Sequence, residues 1–385
     1  MALALVAEQL GSWLVGQTGL LRRGFIPEPL VGGLLLALGL LLLRPFGLAI
    51  TMPTSGPPVD AMVALLTANM GLHLTPRVLR AGAPLFLLFL AAGAALFFAQ
   101  LLPALAITGA LPAAILQGPL SFVGAPYNLN PPAQVEPVAR LLPAAGAPAK
   151  ELAQGSMMLG VLLGAPLTGL LAVHLFRRAG QEPPKTPPDE QRTDMSVVEF
   201  AHRATRLLTL IFAIIALAFG LQALLLRTVP GLRDDHIPVI ILAYLLGGAW
   251  RLAHEMTRPG QFAEKTLTVL LLGPTMSLVL TYALGAMPLH TLGLLTTQAV
   301  VVALLAVTVS ATGSWLVFPL AARLTDRYYA AVIAVALFAV TTGWGPLAMA
   351  YLRRFTTVEG PVEPMPAVLP LHAMYLYPWM VILLV

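Results

Sequence analysis

Two short polar runs break an otherwise oily chain, and their residues are of the kind that hold small polar ligands. The first, GPLSFVGAPYNLNPP at residues 118–132, sets Ser121, Tyr127, Asn128 and Asn130 among Gly and Pro, with Gly124 at its centre. The second, TTGWGP at residues 341–346, pairs Thr341 and Thr342 with Gly343 and Gly345. Hydroxyl and amide groups both donate and accept hydrogen bonds, and glycine lets backbone approach a ligand closely. Non-helical backbone at membrane depth is tolerated only where protein or a water-filled cavity satisfies its N–H and C=O groups. Paired interruptions in two halves of a chain point to a transporter's binding site. The first run is therefore expected to bind substrate, helped by half-helix N-termini that favour a carboxylate. Thr341 and Thr342, with carbonyls of unwound backbone, suit sodium, a hard cation that prefers oxygen ligands. A plainer reading stands beside each assignment. Asn128 to Pro132 also fit a surface turn, and the two threonines also fit helix-packing positions whose hydroxyls bond their own backbone.

The elements that must position these residues are membrane spans. Of the residues 58% are hydrophobic and only 10% charged, against about a quarter charged in soluble domains, so the chain is expected to be an all-α polytopic membrane protein. Apolar runs near spanning length fall at about 2–21, 27–43, 59–74, 82–103 and 151–176, then at about 205–226, 237–250, 266–285, 291–320 and 366–385. A charged, Pro-rich stretch at 177–203 reads as a linker between halves 1–176 and 204–385. The interrupted elements then occupy about 105–140 and 329–350, one per half. The first 21 residues lack a basic start and a clear small-residue cleavage site, and read as a retained span.

Charge supports this count. With the linker cytoplasmic and each interrupted element returning to its side of entry, only Arg44, Arg140, Lys150, Arg227 and Arg233 of the 22 lysines and arginines lie outside. That is the bias of the positive-inside rule. Both termini fall on the outer side, and an odd number of spans per half makes the duplication an inverted repeat. Ile26-Pro27 before Gly32-Gly33 is echoed by Ile237-Pro238 before Gly247-Gly248, although small residues also recur simply because they allow close helix packing.

Other chemistries fit poorly. Lys and Arg occur singly or in pairs between apolar segments, so the net charge of +5 does not mark a nucleic-acid patch. Without cysteine there are no disulfides or thiolate metal sites. His73, His174, His202, His236, His254, His290 and His372 are scattered without ligand spacing, and no phosphate-binding loop occurs. Glu28 and Asp60 sit beside prolines at span starts and read as helix caps, leaving no carboxylate pair at mid-membrane for a proton-driven antiporter. Asn69, Gly71 and His73 close the third span, either bordering a cavity or packing helices.

Several stretches resemble the bacterial sodium/glutamate symporter family. Ile26-Pro27-Glu28-Pro29 leading into Gly32-Gly33 is similar to the family's opening signature, and Leu79-Arg80-Ala81-Gly82 to a following turn. The Gly-rich span at 151–176 and Tyr329-Ala330-Ala331-Val332 leading to Gly343 and Pro346 continue the likeness in order. The resemblance implies two inverted five-helix repeats, each with a broken or re-entrant element, in a homodimer that moves a transport domain against a scaffold. It implies sodium-driven uptake of glutamate across the inner membrane, with Na+ as coupling ion and no other cofactor.

The departures fall at the site. Where the family carries Gly-Gly-His-Gly-Thr-Gly, this chain has Gly124-Ala125-Pro126-Tyr127-Asn128-Leu129. A second family run, Gly-His-x-Gly-Phe-Gly, falls on Ala336-Leu337-Phe338-Ala339-Val340-Thr341. Glutamate or a related acidic amino acid or carboxylate is the expected substrate. A different substrate or proton coupling on the same fold, or a non-transporting membrane protein, remain alternatives.

Overall fold

The computed structural model describes residues 2–24, 26–47, 50, 52–53, 57–119, 148–180, 196–229, 239–258, 265–287, 289–342, 348 and 351, and these are helical or lie in turns between helices. In chain order the helices are α1 (Ala2–Gln17), α2 (Gly19–Arg23), α3 (Glu28–Leu43), α4 (Pro57–Gly71), α5 (Pro76–Thr108) and α6 (Leu111–Gln117). They continue with α7 (Pro148–Arg178), α8 (Val197–Thr228), α9 (Val239–Thr257), α10 (Lys265–Gly285), α11 (Thr297–Ala321) and α12 (Arg327–Thr342). Short 3-10 turns cover Arg44–Phe46 and Leu289–Leu294.

Local chemistry sets many of the boundaries. Proline begins a helix well because its missing N–H is unused there, and Pro27 and Pro29 open α3 while Pro57 and Pro58 open α4. Glu28 and Asp60 lie in those first turns, as the capping reading expects. The Ser196 hydroxyl accepts from Glu199 N–H at 3.2 Å to start α8, and Thr296 does the same from Ala299 N–H at 3.2 Å for α11. The Asp326 carboxylate accepts from Tyr329 N–H at 2.9 Å ahead of α12. Gly109, at φ +70°, ends α5 in a conformation that suits glycine.

Five helical stretches among the described residues are long and apolar enough to cross a bilayer: Glu28–Phe46, Gly82–Thr108, Gly155–Arg178, Val198–Thr228 and Thr297–Ala321. Val59–Gly71, Leu271–Gly285 and Arg327–Thr342 are apolar but shorter. The protein is a multi-pass, helical membrane protein. Some boundaries differ from expectation. The first run, expected to be continuous over 2–21, breaks at Thr18, where extended backbone separates α1 from α2. The run expected at 291–320 begins as a 3-10 turn before α11. Residues 329–342 of the second interrupted element are uninterrupted helix, with Tyr328 and Ala330 through Thr342 all buried. A helix apolar on every side belongs in the interior. The expected span at 366–385 lies outside the described residues.

Packing sorts the helices into two groups. In one, α4 lies on α9, α10 on α3, α1 on α3 and α10, and α8 on α9 and α4. In the other, α11 packs on α5, α7 and α12, while α12 also meets α7 and α5. The turn at Leu289–Leu294 touches both α7 and α3, and buried apolar side chains of both groups join in one cluster.

Close approaches in the first group rest on small residues. A Cβ on Gly71 would stand 2.3 Å from Tyr244 O, and one on Gly247 would stand 2.6 Å from Ala68 O, so α4 and α9 meet backbone to backbone. Gly32 faces α1, where a Cβ would meet Ala7 O, and Gly33 faces Leu284 of α10. The two glycine pairs named from sequence are thus both helix-packing positions. α4 and α10 also share a pattern. Met62, Leu66, Thr67 and Gly71 recur at the same spacing as Met276, Leu280, Thr281 and Gly285, and each of these helices packs on an early helix of the opposite half.

Candidate functional site

The second group of helices encloses a polar cluster whose residues come from four of them. Gln100 projects from α5 and is 1% exposed; its Nε2 donates to Ser310 Oγ of α11 at 2.6 Å and to Thr341 O of α12 at 3.0 Å. Both amide hydrogens are thereby used, while Gln100 Oε1 is buried with no hydrogen-bond partner among the described residues. Ser314, one turn beyond Ser310 on the same face of α11, is wholly buried and its Oγ likewise has no partner there. A Cβ on Gly313 would meet the Leu96 side chain, which brings α11 against the face of α5 that carries Gln100.

α7 closes the cluster from another side. Gly164 sits against Thr342, where a Cβ would fall 2.6 Å from Thr342 Oγ1. The Thr168 hydroxyl donates to Gly164 O at 2.6 Å, and the Tyr351 hydroxyl donates to Ala165 O. Apart from these contacts, Ser156 of α7 and Gln117 of α6 also carry buried oxygens, Oγ and Oε1, without partners among the described residues.

Thr341 and Thr342, expected to bind sodium, are both helical residues of α12 and fully buried. The Thr341 hydroxyl donates to Leu337 O at 2.8 Å, with Phe338 O at 3.2 Å, and the Thr342 hydroxyl donates to Phe338 O at 2.7 Å. Their hydroxyl hydrogens therefore serve their own helix, as the packing reading has it. Donation leaves the oxygen lone pairs available to a cation. Ser121, Gly124, Tyr127, Asn128, Asn130, Gly343 and Gly345 lie outside the described residues. The described chain reaches to the edge of both runs, at Pro119 and at Thr342.

Gln100, Ser310 and Ser314 were not singled out from sequence. Their signals were an isolated amide deep in an apolar run and two serines at helical i, i+4 spacing.

Outside this cluster, buried polar groups act as struts. Asn69 Nδ2 donates to Thr268 O at 3.0 Å between α4 and α10, and Thr281 Oγ1 donates to Pro29 O at 3.3 Å between α10 and α3. Asn69 and Gly71 therefore pack helices. Arg251 pairs with Glu255 at 2.9 Å along α9, and the Arg178 guanidinium stacks 4.4 Å from the Trp315 ring to join α7 to α11. Among the described residues there is no group of three His, Asp or Glu that would hold a metal ion. The cluster's chemistry is that of neutral oxygens, suited to a hard cation of low charge.

A comparison with curated protein sequences gave no match. The family model described as sodium/glutamate symporter matches residues 1–361, nearly the full length. Such proteins are transporters, not enzymes, and they couple substrate movement to Na+. The apolar, multi-pass helical architecture agrees with that match: the chain belongs to the sodium/glutamate symporter family.

Proposed function

We infer that the chain is a secondary symporter that uses inward sodium flux to take up glutamate, or a related acidic amino acid or carboxylate, across the inner membrane. The observation that carries this reading is the buried pair Thr341 and Thr342 of α12, set among Gln100, Ser310, Ser314 and Gly164 where the second polar run begins. A buried set of neutral oxygens of this kind suits a hard cation of low charge. In this reading Thr341 and Thr342 bind sodium, and Ser121, Gly124, Tyr127, Asn128, Asn130, Gly343 and Gly345 line the substrate site.

The architecture that goes with it is two inverted repeats, 1–176 and 204–385, joined by a cytoplasmic linker at 177–203, with interrupted elements at about 105–140 and 329–350. Exchanged packing supports it. If α1, α3, α4, α5 and α6 correspond to α8, α9, α10, α11 and α12, the α4–α9 contact becomes α10–α3, and α1–α10 becomes α8–α4. The α5–α6 contact becomes α11–α12, and α5–α11 maps onto itself. The matched Met, Leu, Thr and Gly positions of α4 and α10 fit the same exchange. The second group then moves as a transport domain against the first, in a homodimer with both termini on the outer side.

The test is uptake of radiolabelled glutamate into proteoliposomes under an inward sodium gradient, with potassium at equal ionic strength as control. Uptake that requires sodium supports the reading. Folded protein that takes up no glutamate refutes it in favour of another substrate or proton coupling. That second reading has one specific support, the replacement of the family's glycine-rich run by Gly124-Ala125-Pro126-Tyr127-Asn128-Leu129.

A further inference from the structure

We propose that Gln100 and Ser314 are ligands of the coupling sodium ion, through Gln100 Oε1 and Ser314 Oγ, beside Thr341 of α12. The proposal rests on the symport reading above and extends it to residues outside both polar runs.

Three observations converge. First, two polar oxygens on facing helices are left without hydrogen-bond partners among the described residues, on side chains 1% and 0% exposed. Such groups are rare in native interiors and call for a specific reason. Second, the Gln100 amide is fixed in orientation. Its Nε2 faces a carbonyl, Thr341 O, and so must be the nitrogen, while the same group donates to Ser310 Oγ. The carbonyl end of the amide is thereby turned away from both partners and held there. Third, the amide's anchor is Thr341 O of α12, so a cation held by Oε1 lies close to the helix that carries the Thr341 and Thr342 hydroxyls.

The ligand type follows from charge. Gln100, Ser310, Ser314, Thr341 and Thr342 are all neutral, and a neutral set of hard oxygens in an apolar surround stabilises one positive charge far better than two. Divalent calcium or magnesium calls for carboxylates, which the cluster lacks. Soft metals call for sulfur or imidazole. Sodium fits, and it is the ion that the family couples to. Binding would also tie α5, α11 and α12 together, because one ion would share ligands from each.

The experiment uses the full-length protein in detergent and in proteoliposomes, with sodium titrated against choline at constant ionic strength. The readouts are the sodium-dependent rise in melting temperature and the sodium concentration that half-saturates glutamate uptake. Ser314→Ala deletes an oxygen that makes no hydrogen bond in the described structure, so it leaves the sodium-free melting temperature near wild type. It is expected to raise half-saturating sodium at least tenfold. Gln100→Leu, of similar volume, is expected to do the same, while glutamate affinity at saturating sodium stays within about twofold. Ser314→Ala with wild-type sodium dependence overturns the assignment while leaving the symport reading intact. If loss of the Gln100 bridge prevents folding, Ser314→Ala decides alone. A wild-type protein indifferent to sodium overturns the symport reading and this assignment together.

Discussion

Replacing Gly71 by alanine tests whether α4 and α9 meet backbone to backbone. The new Cβ would stand 2.3 Å from Tyr244 O, 2.8 Å from Gly248 N and 3.1 Å from Gly247 C. None of these atoms can rotate away, so the helices must part by about 1 Å to restore contact distances. A gap of that size forfeits roughly a quarter to a half of each affected dispersion contact. Overpacking of this kind costs about 1–3 kcal/mol, and the upper part of the range applies because the obstacle is main chain. Alanine returns at most about 1 kcal/mol of helix propensity. The net loss is about 2 kcal/mol. Gly285 is the matching position on α10, but its Cβ would first meet Leu36 Cδ2, the far end of a side chain that can change rotamer. Gly285→Ala is therefore expected to cost less than Gly71→Ala. Gly220 in α8 has nothing within 4 Å of its Cβ position, and Gly220→Ala should be neutral or stabilising. Thermal unfolding of the three purified variants in one detergent, followed by tryptophan fluorescence, ranks them. A Gly71→Ala midpoint at or above wild type, or equal losses at Gly71 and Gly285, would refute the packing argument.

Thr341→Val keeps shape and loses only a hydroxyl bonded within its own helix, so stability should change by less than about 1 kcal/mol. If its oxygen binds sodium, half-saturating sodium for uptake rises several-fold, and an unchanged value removes that hydroxyl from the site. Asn128→Ala should weaken glutamate binding, read by ligand-induced thermal stabilisation, without lowering the ligand-free midpoint; wild-type affinity sinks its assignment. Ser196→Ala removes the acceptor for Glu199 N–H at the start of α8, at a cost of about 1 kcal/mol. Hydrogen exchange of the first turn of α8 should quicken, and unchanged protection would count against the cap.

How far the fold was legible depended on whether the signal was local. Apolar runs marked most helices, and Pro27 and Pro57 marked starts, because burial in lipid and helix initiation are both properties of short segments. The cap at Ser196 was missed, because its charged surroundings read as linker and the run was expected only from about 205. Gly32-Gly33 and Gly247-Gly248 were visible as a pair but not their partners, since a close approach depends on the opposite helix as much as on the glycine. The break at Thr18 was hidden inside an apolar run, where one extended residue leaves no compositional trace. Thr341 and Thr342 stood out because they adjoin Gly343 and Gly345. Gln100 did not, because its importance comes from Ser310 and Thr341, which lie 210 and 241 positions away in sequence.

Electrostatics supplies the remaining link between the cluster and the proposed anionic cargo. Arg251 is the buried charged side chain among the described residues, and it belongs to α9, where Glu255 neutralises it. No buried cation from the described helices is therefore on hand in the second group to balance a carboxylate at membrane depth. An uncompensated charge there is strongly disfavoured. Helix N-termini would offset part of it, and a sodium ion held as proposed beside α12 would offset more. The same ion would relieve the unpartnered oxygens of Gln100 and Ser314. Each ligand then lowers the cost of binding the other, which is the reciprocal coupling that symport requires. The physical expectation is that sodium raises glutamate affinity and glutamate raises sodium affinity by the same factor.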